Sequence, residues 1–327
     1  MLSRRLSYPL ALACALAFAC ACAQAQSPAY PSKPVRIVVP IPGGGNVDII
    51  ARAVAQKLTE AWQRQVFVEN RPGASTIIGS EFVAKSAADG YTLLINSAGN
   101  LTSNPGLYPK LPYDTLRDFT PISNIARVAL IMVVHPSLPA KSVKELIALA
   151  KAKPGEISVG NGSMGSAGHL ALELFMSMSA TKFVPVPYKG NAPALADTIA
   201  GHLPMMIDTL STSIAHVKGG RLRALAVTSP ERSALLPEIP TVAEAALPGY
   251  EASVYIGLLG PAAMPPDIVG KLSAEFARIA RDPETRQQFA KEGIELIGST
   301  QEEFAAFMKT DIAKWTKLIR EAGIKVD

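Results

Sequence analysis

Two short stretches of this chain hold the residue types that could do chemistry. The first, Pro40-Ile41-Pro42-Gly43-Gly44-Gly45-Asn46-Val47-Asp48, follows a β-branched run at 35–39 and leads into a segment with helical spacing. The second, Gly160-Asn161-Gly162-Ser163-Met164-Gly165-Ser166-Ala167-Gly168-His169, follows a strand-like run at 157–160 and also leads into a helix-like run. A strand, a glycine turn and a helix start together make an anion site. Unpaired backbone N–H groups and the positive end of the helix dipole converge where no side chain stands in the way. Glycine loses more backbone freedom on folding than any other residue, so three in a row at Gly43, Gly44 and Gly45 mark a place where close approach matters. Ser163 and Ser166 add hydroxyl donors. Neither loop carries Lys or Arg. Arg52 lies about one helical turn beyond the first loop and is expected to pair at the surface or with Asp48.

Other chemistries fit these residues less well. Gly160-x-Gly162-x-x-Gly165 matches the dinucleotide fingerprint, which calls for an acid about twenty residues on to hold the ribose. The chain has Pro187-Tyr188-Lys189 there. Ser163, in Asn161-Gly162-Ser163-Met164-Gly165, lacks the first glycine of a nucleophile elbow. His169 and Glu173 stand four apart without the second histidine of a zinc helix, and His135, His202 and His216 are scattered. Two roles stay open for Asp48, a base or an anchor for the loop and first helical turn. Two stay open for Asp208, facing a cleft or starting a turn. Ser163 with His169, six residues on, is the pair to suspect in an enzyme, with no third group to orient it.

The elements that must position these loops alternate. Strands are expected at 35–39, 66–69 and 91–95, with helices at 47–62 and 78–87, a βαβαβ pattern that predicts a parallel sheet covered by helices. A second unit has strands at 128–135, 157–160, 183–187, 205–208 and 222–228. Its helices are expected from Ser142 to about Lys153, at 169–178 and at 192–200. Ser142 with Glu145 reads as a capping box. Residues 230–249 read as a return connection, followed by a strand at 255–259 and helices at 266–281, 283–292 and 301–322. Each half repeats the order strand, glycine-serine loop, helix.

Composition bounds the rest. Of 327 residues, 48% are hydrophobic and 18% charged, enough for a sizeable core in two domains or one large one. The formal charge of +5 is not clustered as in a nucleic-acid binder. Arg4 and Arg5, an apolar run at 10–21 and the cleavage site Ala23-Gln24-Ala25 read as a secretory signal peptide over 1–25, with Gln26 as the mature N-terminus. All three cysteines (Cys14, Cys20, Cys22) fall within it, so the mature chain is expected to use no disulfide or thiol chemistry. Cys22 follows Ala19-Cys20-Ala21, a poor lipobox, so a soluble exported protein is expected.

The stretches "PSKPVRIVVPIPGGGNVDIIAR", "VENRPGA", "ADGYTLL", "LPYDTLRDFTPI", "VPYKGNAPALADTIAGH", "LRALAVTSPERSALLPEIPTVAEAALPGYE" and "GLLGPAAMPP" resemble the Bug receptors, the periplasmic solute-binding proteins of tripartite tricarboxylate transporters. The resemblance runs over nearly the whole mature chain. It implies an α/β, two-domain periplasmic-binding-protein (Venus flytrap, type II) fold with two crossovers. The expected division is 26–125 with 249–327 as domain 1 and 126–248 as domain 2. It implies no catalysis, no cofactor and no metal. The implied partners are a small carboxylate ligand (amino acid, di- or tricarboxylate, or aromatic acid), the transporter's membrane subunits and a candidate sensor protein; the receptor is expected to be monomeric. An enzyme or a signalling accessory on the same scaffold is the alternative.

By position, the resemblance implies that the ligand carboxylate is held by backbone amides and bridging waters at Gly43, Gly44, Gly45, Asn46, Val47 and Asp48. Ser163, Met164, Gly165, Ser166 and His169 grip from the other domain, and Tyr188 and Asp208 line the cleft. The candidate set is completed by Ser75, Thr76, Ile77, Ser97, Gly99, Asn100, Lys189 and Tyr255. Two departures stand out. Ser75-Thr76-Ile77-Ile78 replaces the family's usual glycines and asparagine, and Val47 stands where a threonine is usual. Both favour a ligand with an apolar part.

Overall fold

The computed structural model describes residues 30–326. The expected signal peptide and its cysteines lie outside the described residues. Strands β1 (Val35–Val39), β2 (Val66–Asn70) and β3 (Thr92–Ser97) are parallel, in the order β2-β1-β3. Helix α1 (Asn46–Trp62) buries Val47, Ile50, Val54 and Leu58, one stripe at helical spacing, against Val35, Ile37 and Val39. Helix α2 (Ile77–Ala84) covers the other face, where Val83 packs with Val38 and Leu94.

A third helix, α3 (Ala98–Leu107), follows β3 where sequence patterning gave none. Its segment reads AGNLTSNPGL, poor in helix formers. Pro105 has no amide to give the carbonyl of Leu101, and the Thr115 hydroxyl supplies that bond at 3.0 Å. Tertiary contacts therefore override a weak local preference.

Strand β4 (Phe119–Val134) is the longest and joins the two halves. Its first part pairs antiparallel with β9 (Ser253–Pro261) and β10 (Ile294–Leu296). Its second part pairs with β7 (Met205–Thr209) and β8 (Arg223–Val227). Apolar patterning in the sequence marks only the second part. The first part holds Pro121, Ser123 and Asn124, and its register shifts beside these residues, as bulges accommodate a proline in a sheet. Beyond β4, strands β5 (Ser158–Asn161) and β6 (Val184–Pro187) run parallel to each other and β5 runs parallel to β7. Leu130, Met132 and Val134 face one core there and Ala129, Ile131 and Val133 the other, the alternation a strand requires.

Helices α4 (Val143–Ala152), α5 (Ala167–Ser179), α6 (Asn191–Ile199) and α7 (Leu210–Lys218) cover this second sheet, with the short α8 (Val242–Ala245) beside them. Ser142 accepts the Glu145 amide as expected, but Glu145 returns to the amide of Lys141 rather than that of Ser142. The chain returns through 249–253 into β9, making the second of two crossovers in a two-domain α/β fold. Helices α9 (Pro266–Arg281), α10 (Pro283–Ala290) and α11 (Gln301–Ala322) close it. A full capping box at Thr300 and Glu303 starts α11. Its Phe304 and Met308 join the first core, and its Trp315, Leu318 and Ile319 the second.

Candidate functional site

Because β1, β2 and β3 are parallel, their carboxyl ends share one edge, and α1, α2 and α3 all begin there. Among the described residues, no side chain caps any of the three at its N-terminus. The same holds for α6 and α7 after β6 and β7. Open α/β sheets bind ligands at this edge. Uncapped helix starts present free amides and positive dipole ends to it.

The first loop is held by Asp48, only 3% exposed. One carboxylate oxygen accepts from the Gly44 amide and from Arg52 Nε, both at 2.9 Å. The other accepts from Asn70 Nδ2 at 2.8 Å, and Asn70 also donates to the carbonyl of Ile41. Burial alone would raise the Asp48 pKa. The bonds from Arg52, Gly44 and Asn70 outweigh it and hold the carboxyl below its ordinary value. Asp48 is thus an anchor of the loop, and Arg52 pairs with it as expected. Gly44 has φ +93°, a backbone that side chains resist. Gly43 and Gly44 are exposed and Asn46 half-buried, while Val47 packs into the core.

The turn after β2 is unusual. Ala74, Ser75 and Thr76 have φ of 44°, 51° and 73°, three successive non-glycine residues in the left-handed region, at a cost of about 1–2 kcal/mol each. Such strain persists only where surroundings over-determine it. Thr76 accepts from Asn96 Nδ2 at 3.2 Å, Ser75 O from Asn104 Nδ2 at 3.3 Å, and the Ser75 hydroxyl pairs with Tyr108 Oη at 2.8 Å. Ile77 opens α2 directly behind this turn.

In the second loop each glycine has a protein neighbour that explains it. A Cβ on Gly160 would meet Leu203 at 2.7 Å. On Gly162 it would strike the side chain of Asn191, on Gly165 it would lie 2.8 Å from Leu107, and on Gly168 it would strike the carbonyl oxygen of Ile207. The fingerprint-like spacing is thus a packing pattern. Ser166 caps α5, its hydroxyl accepting the His169 amide at 3.4 Å. His169 is fully buried, and its Nδ1 accepts the Gly165 amide at 3.0 Å. That places the proton on Nε2, 3.2 Å from Glu173 but too oblique for a hydrogen bond. His169 therefore braces the loop, and its Nδ1 is not available to Ser163 as a base. Ser163 and Met164 are exposed.

Asp208 is fully buried and accepts from Asn191 Nδ2, Thr212 and Ser213 at 2.9, 2.6 and 2.9 Å. It fixes the starts of α6 and α7. The two halves share one device: a buried aspartate bonded to an asparagine (Asp48 to Asn70, Asp208 to Asn191) beside a glycine loop. Tyr188 turns its hydroxyl to Asp197 at 2.6 Å, and Lys189 is exposed. Tyr255 lies on the crossover, bonded to Glu251 and packed on Phe307. Ser97, Gly99 and Asn100 line a cavity of 30 Å³ that also touches Gly165, Leu170 and Trp315. The start of α3 and the second loop therefore meet across the two halves.

Sequence reasoning did not single out Asn70, Asn191, Leu107 or Tyr108; only their positions beside the glycine loops or in α3 mark them. It also did not single out Asn161. That side chain is buried at the carboxyl end of β5, and neither of its polar atoms has a hydrogen-bond partner among the described residues.

Uncapped helix starts gathered at the strand ends of both halves of a two-domain α/β fold frame a site suited to an anionic solute. Comparison with known proteins narrows the class. The profile of the tripartite tricarboxylate transporter family receptors (TctC) matches residues 50–324, and the chain belongs to that family. It is 35% identical over 298 residues to Protein BugT of Bordetella pertussis, covering 91% of each chain. It is 38% identical over 294 residues to a UPF0065 protein from the tcbD-tcbE intergenic region of Pseudomonas sp. strain P51, covering 90% of this chain and 87% of that one. Among solved structures, Rpa4515 of R. palustris with adipate superposes with a TM-score of 0.79 at 36% identity, covering 91% of this chain and all of that one. MatC (Rpa3494) of Rhodopseudomonas palustris with bound malate does so at 0.74 and 25%, covering 89% and all respectively.

Proposed function

We propose that this chain is an exported, monomeric receptor that captures a small carboxylate between its two domains and delivers it to the membrane subunits of a tripartite transporter without transforming it. The observation that carries this reading is the set of uncapped helix starts at the strand ends. The adipate and malate in the two related structures support the carboxylate class. Domain 1 is 26–125 with 249–327, domain 2 is 126–248, and residues 1–25 are the cleaved leader. Closure about β4 and β9 brings the loops at 43–48 and 163–169 onto the ligand.

The test is thermal shift with a carboxylate panel that includes adipate and malate. A bound member at 100 times its dissociation constant adds about 2.7 kcal/mol, read as a rise in the midpoint. Small-angle scattering should show a smaller radius with that member, and mass spectrometry should return it unchanged. Gly44→Val should abolish the shift in a folded protein, because valine cannot hold the left-handed backbone that points the Gly44 amide at Asp48. Arg52→Ala should weaken binding only a few-fold. If Arg52→Ala abolished the shift while Gly44→Val kept it, a direct ion pair would replace the amide cradle.

A further inference from the structure

Five consecutive residues at the end of α3 each make a specific contact. Asn104 donates to the Ser75 carbonyl. Pro105 leaves its partner carbonyl to Thr115. Gly106 lets α3 approach α11 so closely that a Cβ there would lie 3.1 Å from the Thr316 Cα. Leu107 belongs to the core cluster of the second half and stands over Gly165. Tyr108 bonds the Ser75 hydroxyl. The same turn of helix thus touches the strained turn of the first domain and the glycine loop of the second.

We propose that 104–108 is a positioning element of the ligand site: Asn104 and Tyr108 hold the left-handed turn 74–76 through Ser75, and Leu107 seats on Gly165 when the domains are together. The physical case has two parts. A turn of three strained non-glycine residues needs external bonds to persist, and side-chain bonds reach it from Asn96 in β3, Asn104 in α3 and Tyr108 directly after α3. The φ of +75° and the open backbone at Gly165 admit Leu107, whose methyl groups occupy the space a side chain would fill. Asn104, Leu107 and Tyr108 are positioning residues, acting through Ser75 and Gly165. Their effect on affinity rests on the carboxylate-receptor reading; their effect on the turn does not.

The experiment therefore has two arms. In ligand-free protein, hydrogen exchange of the peptide covering 72–80 should quicken several-fold in Tyr108→Phe and stay at the wild-type rate in Ser179→Ala. The latter control removes a buried hydroxyl bonded to Phe175 in the other half. In the second arm, adipate is the probe. Tyr108→Phe should raise its Kd about tenfold, the order of one hydrogen bond. Ser75→Ala should do the same, and the double variant should be no worse than either. Leu107→Ala should speed adipate release and leave the association rate unchanged. Wild-type exchange at 72–80 in Tyr108→Phe overturns the proposal, as does unchanged release in Leu107→Ala. If wild-type protein fails to bind adipate, that failure falls on the carboxylate reading, and the exchange arm alone decides the positioning role.

Discussion

Gly168→Ala should lower the melting temperature by several degrees and weaken carboxylate binding, although it adds a single methyl group. The Gly168 Cα faces the carbonyl oxygen of Ile207 in β7 too closely for any Cβ. The obstacle is main chain, held in the ladder between β4 and β5, so it cannot rotate aside as a side chain would. Relief requires α5 to lift from the sheet. Overpacking of this kind costs about 1–3 kcal/mol. The lift also moves the loop at 163–169, which is why affinity should fall with stability. The comparison that isolates the cause is Gly270→Ala. Gly270 lies inside α9 with nothing within 4 Å of the added Cβ. There the same methyl removes only the flexibility of glycine in a helix and should stabilise by about 0.5–1 kcal/mol. Differential scanning calorimetry of the two variants should give shifts of opposite sign. A Gly168→Ala protein that melts with wild type would mean that α5 is not seated on the Ile207 carbonyl.

The βα alternation was legible in residues 35–97 and 157–209 because apolar periodicity there agrees with the fold. The amphipathic stripe of α11 was legible for the same reason. Helix α3 was not, since its Gly99, Pro105 and Gly106 read as loop. The Thr115 hydroxyl, the buried Leu101 and the close face of α11 hold it helical. The site followed the same division. The sequence marks both glycine loops, but not that Leu107 of the other half stands against the Gly165 backbone. Contacts between residues far apart in sequence leave no periodic trace, and the first and second halves meet at exactly such contacts. The roles of Asp48 and Asp208 were open for a related reason. An aspartate at a helix start or strand end can serve as a base or an anchor, and only its three donors decide.

Asp48→Ala should cost the first loop about 2–4 kcal/mol of stability and most of the carboxylate affinity. It removes the acceptor for Gly44, Arg52 and Asn70 together. Bonds to a charged acceptor are worth about 1.5–3 kcal/mol each, offset here because Arg52 is half-exposed and regains water. Asp48→Asn separates charge from shape. The folded carboxyl titrates below its unfolded value of about 3.9, so its ionised form is the one that favours folding. That contribution is whole above about pH 4 and is lost as pH falls through the lower folded pKa. The stability gap between wild type and Asp48→Asn should therefore be constant near neutrality and shrink on acidification below about pH 4. Binding adds a second constraint. An unpaired carboxylate in the first turn of α1 would repel a ligand anion at the same helix start, and Arg52 cancels that charge. This is why Arg52→Ala should weaken binding modestly even without touching the ligand, and why added salt should recover part of the loss. Denaturant titrations of wild type and Asp48→Asn from pH 3 to pH 7 decide the matter: a gap that stays constant, or widens, below pH 4 would mean that the charge of Asp48 does not hold the loop.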